Sequence, residues 1–215
     1  MIRPRLLLLP LAGLVALAAA APAAAGPPTD QLKGAIERVL STIENPALKG
    51  EGKVMDRRRE VRKIANDIFD FGEISRRSLA RHWQGLSDRD REEFIVLFGD
   101  LLERSYVSRI EQYGGEKIQY AAEKVEGDLA VVSSRIIAKG GTEVPVDYRM
   151  LRRGDRWLVY DVSIEGVSLV ANYRTQFNKI IQTSSYKDLV KKMKAKQDEA
   201  VFEDESQKRA RTRTQ

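Results

Sequence analysis

Cysteine is absent from the 215 residues, and histidine occurs once, at His82. The first absence excludes disulfides, thiolate nucleophiles and Cys/His zinc clusters, and it leaves no cysteine for a lipoprotein anchor. Small disulfide-stapled folds are therefore out, and an apolar core must supply the stability. The second leaves a Ser-His-Asp triad only one possible base, and the G-x-S-x-G elbow that would hold its serine is missing. His82 sits in "ARHWQG" beside Trp83 and reads as a helix-end or surface histidine. A P-loop and a G-x-G-x-x-G are missing too. Asp67, Asp70, Asp161 and Glu165 remain as possible acid–base carboxylates. Asp161 and Glu165, however, share the polar face of a strand, where solvation or pairing with Arg149 accounts for them.

Long apolar runs are also scarce. The only one is Leu6 to Ala21, preceded by Arg3 and Arg5 and followed by the small-x-small site Ala23-x-Ala25. Basic start, short apolar stretch and A-x-A site predict a cleaved signal peptide over residues 1–25, with the cut before Gly26, rather than a membrane anchor. Excess charge of one sign is scarce in the same way. The formal charge is +6, but Arg3 and Arg5 leave with the leader, and Lys208, Arg209, Arg211 and Arg213 carry the +4 that remains. The folded body is near neutral, so a basic isoelectric point is no argument for nucleic acid. Residues 197–215 read as a charged, solvated tail.

What the sequence does contain is regular patterning. A helix with Leu32, Ile36, Val39, Leu40 and Ile43 on one face is expected after a Thr29 or Asp30 cap. A second is expected from about Asp56, with Val61, Ile64, Ala65, Ile68 and Phe69, then a short one ending near Trp83. "LSDRDREEF" opens the clearest helix, capped by Ser87 with Asp90 three residues on. Its apolar stripe runs through Phe94, Leu97, Phe98, Leu101, Leu102 and Tyr106 and stops at Gly114-Gly115. The period then changes to two. Lys117–Val125, Asp128–Ala138, Thr142–Leu151 and Arg156–Glu165 read as four strands joined by the short turns "EGD", "KGG" and "RRGD", an antiparallel meander. In the third strand Val144, Val146, Tyr148 and Met150 share a face. In the fourth Leu158, Tyr160, Val162 and Ile164 do. Helices with stripes at Leu169, Tyr173, Phe177, Ile180 and at Leu189, Val190, Met193 follow. The class is α+β, a single domain over residues 26–196 whose helices cover the apolar side of the sheet. Periodicity does not separate a filled core from a cavity lined by the same residues.

Two stretches carry a resemblance. "WLVYDVSIEGVSLVANYRTQFNKII", with Trp157, Tyr160-Asp161-Val162, Gly166-Val167-Ser168-Leu169, Asn172-Tyr173-Arg174 and Gln176-Phe177, resembles the C-terminal signature of the MlaC family. "FDFGEISRRSLARHWQGLSDRDREEFIVLFGDLLERSYVSRIEQYGG" is similar to its helical block. The family consists of periplasmic phospholipid carriers of the Mla, or toluene-tolerance, pathway. The resemblance implies an NTF2-like cone with an apolar pocket for acyl chains and no cofactor, metal or catalysis. It further implies a monomer in the periplasm, without stable membrane anchor, exchanging phospholipid between an inner-membrane ABC transporter complex and an outer-membrane lipoprotein complex. The residues expected to line the pocket are Phe98, Leu101, Leu102, Tyr106, Val144, Val146, Tyr148, Met150, Leu158, Tyr160, Val162, Ile164, Leu169 and Tyr173. Arg174 is expected to pair helix with sheet or to meet a headgroup. The turn "TSSYKDL" lacks the family's usual glycine, and a hopanoid or related lipid is the alternative cargo. An isomerase- or dehydratase-type enzyme on the same cone, with Tyr148 or Tyr160 and Asp161, and a ligand-free structural adaptor are the alternative functions.

Overall fold

A computed structural model describes residues 26–197; the expected signal peptide and all but the first residue of the expected tail lie outside them. Six α-helices are present among the described residues. These are α1 (Pro27–Glu44), α2 (Val54–Ile68), α3 (Phe71–Leu79), α4 (Asp88–Glu111), α5 (Leu169–Thr183) and α6 (residues 186–197). Between α4 and α5 lie β1 (Lys117–Glu126), β2 (Leu129–Ile137), β3 (Glu143–Arg153), β4 (Arg156–Ile164) and β5 (Val167–Ser168). The sheet is antiparallel in the order β1-β2-β3-β4-β5, so the meander is as expected but gains a fifth strand. That strand escaped a periodicity reading because two residues show no period.

The turns are where glycine was expected to place them. Gly127, Gly141 and Gly154 have positive φ in the hairpin connections. In the β4–β5 turn Glu165 and Gly166 both have positive φ, at 51° and 80°, the pair of left-handed residues a tight type I′ hairpin requires. Ala80, just after α3, holds φ 49° and ψ −120°, a region that suits glycine. Ala80→Gly is expected to stabilise the protein by about 1 kcal/mol by releasing this strain, a rise in Tm of about 2–4 °C by calorimetry.

The start of α1 differs from expectation. Neither Thr29 nor Asp30 caps it; the N-cap is Gly26, and Pro27 and Pro28 form the first turn. Prolines suit these positions because their missing N–H groups would have had no helical partner.

A bulge in β4 decides which residues point where. Arg149 pairs with Asp161, yet its neighbour Met150 pairs with Val159, so Tyr160 is the extra residue. Cross-strand partners share a face. Val162 and Ile164 therefore lie on one side with Tyr148 and Val146, as expected. Beyond the bulge the phase flips, so that Val159 lies on that side with Met150 and Trp157 follows it, while Leu158 turns to the other side with Leu151. The expectation that Leu158 shares a face with Val162 and Ile164 is corrected by this one inserted residue.

The apolar interior falls into two clusters. One lies between the sheet and the first two helices: Leu32, Ala35, Ile64 and Ile68 against Ala130, Val132, Met150, Trp157 and Val159. The other is helical, with Ile74, Leu79, Phe94, Leu97, Phe98, Leu102, Val170, Phe177, Leu189, Val190 and Met193 drawn from α3 to α6. Phe69 packs against both. It lies between α2 and α3 and docks on the open edge of β4, where Asp70 N–H donates to Val159 O at 2.9 Å.

Candidate functional site

The signature segment first shows what it does for the fold. Asp161 is only 4% exposed. It accepts hydrogen bonds from Ser168 Oγ at 2.6 Å and from Val170 N–H at 3.0 Å, and Ser168 Oγ in turn accepts from Ala171 N–H at 3.0 Å. Two orphan donors in the first turn of α5 are thus satisfied by a strand carboxylate and a helix cap. The run from Tyr160 to Leu169 is a clamp holding the end of the sheet to the start of α5. Asp161 is engaged structurally, with Arg149 at 3.8 Å.

A second buried carboxylate serves α3. Glu73, 8% exposed, accepts from Arg76 at 2.8 and 2.6 Å and from Arg77 at 2.7 Å, with Arg153 at 3.9 Å. The hydrogen bonds from Arg76, against the cost of burial and with help from Arg77, lower its pKa to about 2 from 4.5. A depressed carboxylate stabilises the fold above its unfolded pKa and ceases to do so as pH falls through the folded one. Unfolding followed by circular dichroism is therefore expected to show stability falling between pH 4.5 and about 2, with Glu73→Gln flattening this limb. The loss at neutral pH is expected to be about 1–3 kcal/mol, discounted because the guanidiniums are partly in water.

The remaining sequence candidates are also structural. His82 Nε2 lies 3.0 Å from Asn178 Oδ1, which also accepts from Arg81 at 2.9 Å. Among the described residues Arg174 pairs with neither sheet nor carboxylate; its Nε donates to Arg77 O at 2.9 Å and ties α5 to α3. Burial pushes the Tyr148 phenol up, so it stays neutral.

Ten of the fourteen expected pocket residues are shared between the two clusters rather than gathered in one, and Val144, Val146, Leu158 and Ile164 belong to neither. Phe98 and Leu102 are buried in the helical cluster, with Leu101, Tyr106, Tyr160, Leu169 and Tyr173 partly buried around it. Phe98 stacks edge-on against Tyr173 and Phe177, each ring centroid 5.0 Å away. Met150 is buried in the sheet cluster, with Tyr148 and Val162 packed beside it. Val146 is buried, while Val144, Leu158 and Ile164 are partly buried. The bulge at Tyr160 is what sends this residue to the helical side, where Arg77 stacks over its ring at 4.1 Å. Phe69, which joins the clusters, was legible only as one more apolar position of α2.

Two clefts lie elsewhere. One, of about 570 Å³, runs between α1 and α2 past Glu37, Arg38, Glu60, Lys63 and Asp67. The other, of about 340 Å³, lies beside it and reaches Arg156 and Trp157. Charged side chains line both, and neither includes any of the fourteen residues. Among the described residues no helix is long and apolar enough to cross a membrane, and no group of acidic or histidine side chains could hold a metal.

Comparison with known proteins places this arrangement. The intermembrane phospholipid transport system binding protein MlaC of Haemophilus influenzae is 28% identical over 138 residues, 60% of this chain. The match spans 64% of that relative's length. A solved phospholipid-binding protein from Ralstonia solanacearum, in complex with a phospholipid, superposes with a TM-score of 0.71 at 24% identity. It covers 79% of this chain and 96% of its own, a likeness of fold. The model of the MlaC protein family matches residues 33–195, and the chain belongs to that family.

Proposed function

We propose that this protein is a periplasmic lipid carrier that takes phospholipid acyl chains into the seam between its two apolar clusters. The observation that carries the reading is this divided interior in an MlaC-family chain: Tyr148 and Val162 border one cluster, Leu101, Tyr106, Tyr160 and Tyr173 the other, with Phe69 between. Such a seam accepts chains if the clusters part, because each already has a complete set of helices or strands behind it. The carrier would exchange lipid between an inner-membrane ABC transporter complex and an outer-membrane lipoprotein complex.

The energetics suit exchange. Each methylene removed from water contributes about 0.8 kcal/mol, so some thirty of them forbid free diffusion of a diacyl lipid. In a membrane those methylenes are already buried, and the carrier has only to match that environment approximately. Near-balance permits loading and unloading, and a partner supplies direction.

The test is native mass spectrometry of freshly purified protein with organic extraction of its ligand. A phospholipid at one or more copies per chain is expected. A hopanoid would redirect the cargo, and protein that is empty and takes up no lipid from vesicles would overturn the reading. The enzyme alternative draws no support from the buried carboxylates, since Glu73 is held by arginines and Asp161 caps α5.

A further inference from the structure

The N-terminus of α1 has few donors left to satisfy. Pro27 and Pro28 occupy its first two positions and bring no N–H. Asp30 N–H bonds to the Gly26 carbonyl at 3.0 Å. Thr29 N–H donates to Glu123 Oε2 at 2.8 Å, across 94 positions of sequence. Glu123 reaches this point because an irregularity between Tyr120 and Ala122 in β1 sets it opposite Val132, on the side of the sheet that carries the α1 cluster.

Two polar oxygens of residues that meet at this corner have no hydrogen-bond partner among the described residues. Glu123 Oε1 accepts no hydrogen bond among the described residues, yet it lies so close to Gly26 that a Cβ there would collide with it. One turn along, Thr29 Oγ1 is buried and unpartnered, with the residue 3% exposed. Thr29 holds the third helical position, from which capping-box side chains reach back to the N-cap nitrogen. A neutral peptide N–H at Gly26 has one proton to offer beside Glu123 Oε1.

We propose that this corner is the receptor for the free amino group of a chain processed between Ala25 and Gly26, with Glu123 as its counter-ion. A peptidase reading Ala23-x-Ala25 breaks the Ala25–Gly26 C–N bond. Water supplies hydroxyl to the Ala25 carboxyl and a proton to the Gly26 nitrogen, which takes a second proton from solvent because an α-amino group is largely charged at neutral pH. The product is an ammonium with three donors where the precursor has an amide with one. A charge-assisted bond to Oε1 is stronger than a neutral one. A bare ammonium would also be repelled by the positive end of the helix, and Glu123 offsets that repulsion. Glycine suits the new terminus because a side chain there would push the Glu123 carboxylate aside. The leader's removal thereby completes the attachment of α1 to the sheet, and the unprocessed chain lacks the ion pair.

The first arm of the test exports the full chain and determines the product's first residue by intact mass and N-terminal sequencing. Gly26 is expected, and any other first residue overturns the proposal. The second arm compares the processed protein with the same protein acetylated at its terminus, and with a version carrying one extra alanine in front of Gly26. Both changes are expected to lower Tm by about 2–4 °C. In Glu123→Gln, which keeps an acceptor for Thr29 N–H, neither change should move Tm. Equal shifts in the two backgrounds, or none in the parent, overturn it.

Discussion

Val162→Arg is expected to leave a folded protein that purifies with at least about tenfold less lipid, since the charge costs a few kcal/mol beside apolar chains. Val162 is partly buried against the sheet cluster and pairs across the ladder with Tyr148. It lies two residues past the bulge that hands Tyr160 to the other cluster. An arginine there can direct its head towards solvent along its own stem, which is why the fold should survive while the seam does not accept a hydrocarbon chain. Val162→Trp serves as the uncharged counterpart, filling the space by volume, and Val162→Leu should carry lipid normally. Extracted lipid per mole of protein is the readout. If Val162→Arg folds, by circular dichroism, and still holds the parent's lipid, the chains do not lie in this seam.

The second large effect is expected at Asp161. Asp161→Ala removes the acceptor for both Ser168 Oγ and Val170 N–H in a site that water barely reaches. A lost cap contributes about 1 kcal/mol, and the buried Val170 N–H left unpaired about 1–3 kcal/mol more, while the half-buried Ser168 hydroxyl can turn to water, so a total loss of about 2–4 kcal/mol is expected. Urea unfolding should show the midpoint fall. Asp161→Asn retains one acceptor and should lose about half as much. Amide exchange should rise first at the start of α5, because Asp161 is what fastens that helix to β4. A variant as stable as the parent would show the clamp to be incidental.

The contrast between Asp161 and Val162 explains what could be read from the sequence. The meander was legible because each strand alternates and each turn carries a glycine. Helix α4 was legible from Ser87, which bonds Asp90 at both side chain and backbone as its spacing suggested. The fourth strand was not fully legible: "WLVYDVSI" holds apolar residues in both phases, and only the partner strand selects between them. Met150 pairing with Val159 made that choice and moved Leu158 to the other side. The start of α1 was hidden for a similar reason, because the carboxylate that satisfies Thr29 lies in β1. For the candidate site, the apolar character of all fourteen residues was readable, but the division of ten of them between two clusters depends on which elements each one meets. Asp161 looked like a solvated strand residue, and its burial follows from a helix that begins eight positions later.

The polar contacts of α1 also set an order of events. Gln31 accepts from Trp157 N–H at 2.7 Å and donates to the Asp155 carbonyl at 3.3 Å. Helix α1 therefore meets partners that are synthesised 126 and 124 positions later. At about 5–20 residues per second its apolar stripe waits roughly 6–25 s for them. The meander, by contrast, closes through neighbouring hairpins. Folding is expected to be paced by the closure of this long loop, so that α1 docks late, after β4 is made and the hairpins have closed.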